Sequence, residues 1–233
     1  MAGLTTGGPN VDVSLLYAIN GLSRHVPNGL GRALGLISEY GILLALVLLV
    51  LWCWRGARRQ DETTAAESFA ALVWAPLGAG IALLVNVPLR GFVGRPRPFV
   101  QHTGLVLEPG LSTTDFSFVS DHSTLAMALG VGLFIANRRL GFIGIGLALL
   151  EGLSRVYMGV HYPTDVIGGF ALGTAVVLLF APLAMALLTP VVRAVARSPR
   201  AGRLVRAKDR PLAQPVGLAA TPPAAPRERD LAA

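Results

Sequence analysis

Cysteine, charge and aromatic side chains are all scarce in this chain of 233 residues. Cys53 is the single cysteine, so no intrachain disulfide can form and a disulfide-stapled secreted domain is excluded. Charged residues make up 14% and aromatic residues 7%, against 53% hydrophobic residues and a mean hydropathy of +0.59. That is too little charge for a soluble surface and too much apolar side chain for a disordered chain. The first ten residues carry neither a positive charge nor an apolar core, so they do not read as a secretory signal. No internal repeat and no line of ionisable groups crossing an apolar run is evident, which argues against a transporter. The net charge of +7 invites a nucleic-acid reading, but residues 191–233 hold nine basic and three acidic side chains, and the rest is nearly balanced. The excess is a terminal tail, with no basic binding face.

What the chain does have is long apolar runs. A bilayer core about 30 Å thick takes roughly 20 helical residues, and the charge-free runs from Ser68 to Leu89 and from Val166 to Val192 are 22 and 27 residues long. The expected fold is all-α, a polytopic membrane helical bundle of five transmembrane helices preceded by a short interfacial helix from Asp12 to His25. The spans are expected at Leu30 to Trp54, Ala65 to Leu89, Ser120 to Asn137, Leu140 to Met158 and Pro163 to Val192. Trp52 and Trp54 suit a headgroup belt. This divides the chain into an N-terminal segment, 1–29, a membrane domain, 30–192, and a basic Pro/Ala/Arg-rich tail, 193–233, expected to be disordered and to rest on anionic lipid. Arginines of the 55–59 and 138–139 turns and of the tail outnumber those on the other side, which predicts a cytoplasmic C-terminus. The long 90–119 loop and the turn around His161 are then extracytoplasmic.

Three blocks fall on that outer side, where the charge bias discourages arginine. The first carries Arg90, Arg95, Arg97 and Pro98; the second Ser120, Asp121, His122 and Ser123; the third Ser154, Arg155, His161, Tyr162, Pro163 and Asp165. Converging guanidiniums repel one another unless an anion lies between them, and their planar forks match phosphate oxygens. Ser120 stands where the third span begins, so it is expected to cap a helix whose free amides also favour an anion. His161 and Asp165 are four residues apart at the start of the fifth span. A carboxylate holding one ring nitrogen would aim the other as a nucleophile or base, while His122 would serve as a general acid.

These residues resemble the type-2 phosphatidate phosphatase superfamily of membrane lipid phosphatases, whose signature runs Lys-x6-Arg-Pro, Pro-Ser-Gly-His and Ser-Arg-x5-His-x3-Asp. The third block matches at every fixed position and the first matches with Arg90 in place of Lys. The second departs at Val119 and Asp121. The Ser-Asp-His form, with Gly-Arg-Pro-Arg-Pro-Phe and Ser-Arg-Val-Tyr-x-Gly-Val-His-Tyr-Pro, is similar to the bacitracin-resistance type of undecaprenyl-diphosphatase. The likeness covers about residues 68–173. It implies that Arg90, Arg97, Ser120 and Arg155 bind phosphoryl oxygens, that His161 attacks phosphorus with Asp165 orienting it, and that His122 protonates the leaving oxygen. It further implies a metal-independent enzyme with no cofactor, acting on a membrane lipid carrying a phosphate or diphosphate in a bacterial cytoplasmic membrane. Glycerolipid phosphates such as phosphatidate or phosphatidylglycerol phosphate are the nearest alternative substrates, and a non-catalytic lipid-phosphate binder or transporter is the alternative of another class.

Supporting roles are expected for Asp121, Glu151 and Ser154. Glu151 precedes Arg155 by one helical turn and is expected to pair with it. Glu39 either supports an outer-side arginine or stands in water at the interface. Arg95 lies outside the fixed positions of the signature, and a contact to a headgroup or to the supports of the site is expected of it. His25 and His102 read as loop histidines. Gly141, Gly144, Gly146, Gly168, Gly169 and Gly173 are expected to permit close helix packing.

Overall fold

A computed structural model describes residues 10–107, 115–198 and 202–205. Helix α1 (Val11–Gly21) starts under the Asn10 side chain, which accepts from the Asp12 amide, and passes into a 3-10 turn at Leu22–His25. Helices α2 (Asn28–Leu36) and α3 (Ile42–Ala57) run on through a π turn at Ile37–Gly41, so that 29–57 forms one apolar rod. Helix α4 (Glu62–Val93) is capped by Asp61 and stops at Gly94, whose φ of +60° closes the helix without the strain a side chain would bring. The short α5 (Pro98–Gln101) follows, then α6 (Asp121–Ala136), α7 (Arg138–Tyr157), α8 (Pro163–Arg197) and the single turn α9 (Gly202–Val205).

The helices at 29–57, 62–93, 138–157 and 163–197 are long and apolar enough to cross a bilayer; α6, with 16 residues, is shorter. The expectation of disorder from residue 193 is corrected at its start. Val191, Val192 and Val195 continue the apolar pattern, and α8 runs on to Arg197. Glu108 and residues 206–233 lie outside the described residues.

Helices α4, α6, α7 and α8 pack around a shared core of small residues with Leu46, Trp74, Leu129 and Val177. Trp74 donates to the Val177 carbonyl at 3.1 Å, which joins α4 to α8 in mid-bundle. Close approach depends on glycine where expected at Gly141, Gly144, Gly168, Gly169 and Gly173, whereas a methyl at Gly146 would meet nothing among the described residues. A methyl at Gly169 would stand 2.8 Å from the Ser120 carbonyl, so this glycine allows α8 to meet the start of α6. Cys53, Ala57, Ala65, Leu133 and Val192 form a second cluster joining the end of α3, the start of α4 and the far end of α8. At the opposite end Leu16 of α1 is fully buried with Val156, Tyr162 and Val166, so α1 packs into the bundle over α7 and α8.

Candidate active site

The three sequence blocks meet at the end of the bundle that α1 covers. Arg90, on the last turn of α4, pairs with Asp121 on the first turn of α6. The Ser120 amide donates to the Asp165 carbonyl at 3.1 Å, which ties α6 to the head of α8. Arg97 donates to the Val160 carbonyl at 3.4 Å, beside His161. Each block therefore touches both others.

Local sequence explains the placement. Ser120 caps α6, its hydroxyl accepting from the Ser123 amide at 3.4 Å and standing 3.1 Å from the Ser123 hydroxyl. It is fully buried, at the positive end of the helix. Pro163 takes the first position of α8, where its missing N–H costs nothing, and Asp165 accepts from the Tyr162 amide at 2.8 Å to close the capping box.

His161 is buried, and its Nδ1 lies 2.9 Å from the Ser117 carbonyl. A carbonyl only accepts, so Nδ1 carries the proton and Nε2 keeps its lone pair, the state of a nucleophile or base. Burial lowers the pKa of His161 below the ordinary value, and the Arg97 guanidinium acts in the same sense against Asp165. Asp165 Oδ2 is 3.8 Å from His161 Nδ1, so the ring is held by Ser117, with the carboxylate as a nearby charge. The sequence pattern had no means of showing this, because the orienting group is main chain.

Asp165 is itself held by Arg95. One guanidinium nitrogen donates to Asp165 Oδ1 and to Thr164 Oγ1, both at 2.8 Å, and the other donates to Asp12 Oδ2 at 2.6 Å. The guanidinium carbon sits 3.6 Å from the centre of the Tyr162 ring. Asp12 also accepts from the Thr164 amide at 3.0 Å and its hydroxyl at 2.7 Å. Burial pushes the Asp12 carboxyl up, but the bonds from Arg95 and Thr164 outweigh it and hold it below its ordinary value. Arg95 is thus a support of the site, as one branch of the sequence reading had it; Asp12 was missed.

Arg155 is buried between three partners. It donates to Glu39 Oε2 and Ser38 Oγ, each at 2.7 Å, and its Nε lies 3.2 Å from Glu151 Oε1. The expected Glu151 ion pair is present, and Glu39 supports Arg155. Ser154 takes part indirectly: Ser38 donates to its hydroxyl at 2.7 Å, and that hydroxyl donates to the Glu151 carbonyl at 2.5 Å. Glu39 Oε1 is also 3.5 Å from His122 Nε2. Asn86, fully buried, was missed as well. Its amide nitrogen donates to Asp121 Oδ1 at 2.7 Å and to the Val119 carbonyl at 3.0 Å.

Part of the anion that clustered arginines require is supplied by the protein, as Asp121 and Glu39. Among the described residues, the buried Nε atoms of Arg90 and Arg97 nevertheless find no hydrogen-bond acceptor. Such cationic donors, with Arg97 acting on a buried imidazole whose Nε2 keeps its lone pair, suit an incoming tetrahedral anion.

Similarity to known proteins agrees with this geometry. Residues 71–188 match the PAP2 superfamily. Undecaprenyl-diphosphatase BcrC of Bacillus subtilis is 32% identical over 171 residues, covering 73% of this chain and 82% of that protein. Putative undecaprenyl-diphosphatase YbjG of Escherichia coli is 29% identical over 166 residues, covering 70% and 78%. Among solved structures, a transmembrane PAP2 type phosphatidylglycerolphosphate phosphatase from Bacillus subtilis superposes with a TM-score of 0.55 at 26% identity, covering 76% of this chain and 88% of that one. The clustered arginines, the two histidines and these likenesses converge: this membrane protein belongs to the PAP2 superfamily and is a phosphoric ester hydrolase.

Proposed function

We propose that this enzyme hydrolyses a polyprenyl diphosphate, undecaprenyl diphosphate or a close relative, to the monophosphate and inorganic phosphate. The reaction takes place at the extracytoplasmic face of a bacterial cytoplasmic membrane that the chain crosses five times. The observation that carries the reading is the pair of buried guanidinium Nε groups, Arg90 and Arg97, that find no acceptor among the described residues, with Arg97 acting on a buried His161 whose Nδ1 is committed to Ser117. Arg90, Arg97, Arg155 and the amide-rich start of α6 at Ser120 receive the terminal phosphoryl oxygens. His161 Nε2 attacks the terminal phosphorus, the bond to the bridging oxygen breaks, and His122 gives that oxygen its proton as polyprenyl phosphate leaves. A water then attacks the phosphohistidine, its proton returns to His122, and inorganic phosphate departs. The substrate needs no transfer across the bilayer, since its chain stays in hydrocarbon while the diphosphate lies at headgroup level.

The names of the BcrC and YbjG relatives favour the prenyl substrate. The name of the structural neighbour favours phosphatidylglycerol phosphate, which the same phosphate-binding groups would accept. Phosphate release by purified protein from both lipids, with and without chelator, decides between them. The prenyl diphosphate is expected to give the higher kcat/KM, the chelator to make no difference, and His161→Ala to abolish turnover. Undiminished turnover by His161→Ala would exclude the nucleophile. Lipid flipping by that variant would instead favour a transporter.

A further inference from the structure

Glu39 stands outside the three sequence blocks and outside residues 71–188, yet it meets two residues of the site. Its carboxylate is divided between them. Oε2 accepts from Arg155 at 2.7 Å, while Oε1 is 3.5 Å from His122 Nε2, long for a hydrogen bond. The π turn at Ile37–Gly41 carries it there, a form of helix that recurs at functional sites. The two pairings differ in how firmly they are held. The Arg155 side chain is 4% exposed and also has Ser38 Oγ at 2.7 Å and Glu151 Oε1 at 3.2 Å. Glu151 is fully buried and its carboxylate makes no hydrogen bond among the described residues, so Arg155 keeps a counter-ion even without Glu39. Glu39 and His122, at 38% and 28%, are the members with room to move.

We propose that Glu39 is a positioning residue for His122 that changes partner when substrate binds: the phosphoryl group takes its place on Arg155, and the released carboxylate turns to His122 Nε2. The inference rests on the lipid-phosphatase reading above and deepens it. In the empty site Glu39 is the anion that Arg155 requires. A bound phosphoryl group brings that charge itself, and two anions on one guanidinium repel each other. From its present place Glu39 reaches hydrogen-bond distance of His122 by a step of under about 1 Å. A carboxylate on one ring nitrogen favours the imidazolium, whose extra proton comes from water, and the leaving oxygen needs that acid form. With Nε2–H on Glu39, Nδ1–H gives its proton to the bridging oxygen as the bond to phosphorus breaks. The water that attacks the phosphohistidine returns a proton to Nδ1, and Glu39 stays ionised throughout. Arg155, His161 and Asp121 also act on the His122 ring, and Arg97 acts on Glu39. Arg155 opposes the imidazolium, and a phosphoryl group bound to it removes that opposition.

Two experiments on the full-length protein test the exchange. In the first, kcat for polyprenyl diphosphate and the inhibition constant of orthophosphate are measured together. In Glu39→Gln, orthophosphate is expected to bind about tenfold tighter or more, because a charge-assisted competitor for Arg155 is gone, while kcat falls as His122 loses its carboxylate. Glu39→Asp, which keeps the charge, is expected to return the inhibition constant toward wild type and to regain part of kcat. A carboxylate that merely braced Arg155 would give the opposite sign for phosphate, since a loosened guanidinium holds anions less well. Orthophosphate binding unchanged or weakened in Glu39→Gln therefore overturns the exchange. The second readout needs no turnover. In protein with 13C-labelled histidine, the His122 ring signal, identified by its loss in His122→Ala, is followed at fixed pH as orthophosphate is added. The imidazolium fraction is expected to rise in wild type and to rise less in Glu39→Gln. No rise in wild type, or an equal rise in both, overturns the exchange. Tighter orthophosphate in Glu39→Gln of a protein that prefers glycerolipid phosphates would overturn the proposed lipid while supporting the role of Glu39.

Discussion

Arg95→Lys is a small change in charge and a large change in geometry. The guanidinium serves three acceptors on two chain segments, Asp12, Thr164 and Asp165, and stacks on Tyr162. A lysine ammonium on a different stem cannot reach Asp12 and Asp165 along both fork directions at once. One or two charge-assisted hydrogen bonds are lost at about 1.5–3 kcal/mol each, together with about 0.5–1 kcal/mol of stacking. Asp165 is fully buried and Arg95 is 26% exposed, so solvent recovers little of this. Allowing for what lysine retains, the expected loss is about 2–4 kcal/mol of stability. Asp165 also stands 3.8 Å from His161, and a displacement of about 1 Å in reacting geometry costs on the order of 100-fold in rate. A fall in kcat of about tenfold to a hundredfold is expected, measured as phosphate release. Thermal unfolding in detergent reads the stability. Arg24→Lys is the comparison, since its guanidinium makes one exposed bond to the Gly104 carbonyl. Wild-type kcat and melting in Arg95→Lys would refute the account of how Asp165 is held.

Three further outcomes follow from the site. Burial keeps His161 below its ordinary 6.5, so the neutral ring persists into acid and the acid limb of kcat/KM is expected below pH 6.5. In the same window the unfolded chain binds a proton that the folded chain refuses; stability is undiminished above 6.5 and falls as pH drops toward the lowered value, a loss that His161→Gln should reduce in melting curves. Glu39→Gln, which removes the carboxylate between Arg155 and His122, is expected to lower kcat by about tenfold to a hundredfold, with Glu39→Asp recovering part. An unchanged rate would show that His122 acts without it. Asn86→Ala leaves the buried Val119 carbonyl without its side-chain donor and Asp121 with one partner fewer, at a cost of about 1–3 kcal/mol in chemical or thermal unfolding; a variant as stable as wild type would mean that water replaces the amide.

The residues legible in the sequence are those whose meaning lies in spacing. Helix starts at Ser120 and Pro163, the four-residue step from His161 to Asp165 and the arginines at helix ends are local patterns, and each landed in one cluster. Helix-forming apolar runs likewise gave away the bundle, although α6 is shorter than the others and α8 runs beyond its expected end. What the sequence could not show is contact at a distance. Asp12 and Arg95 are 83 residues apart, and Glu39 and Arg155 are 116 apart. Neither pair has a spacing rule, and the Glu39 pair depends further on a π turn that alters the facing of 37–41. Ser117 contributes only its carbonyl to His161, so its side chain gave no signal for that contact.

Asn20 of α1 shows what such distant contacts entail for anyone trimming this protein. Its side chain donates to the main-chain carbonyls of Val106 and Tyr157 at 2.9 and 2.8 Å and accepts from the Val106 amide at 2.9 Å. Cutting the polypeptide back to the start of its first long apolar rod would strip partners from three peptide groups and remove the Asp12 anchor in the same stroke. A shortened version would keep every signature residue and still lose the scaffolding that sets them in place.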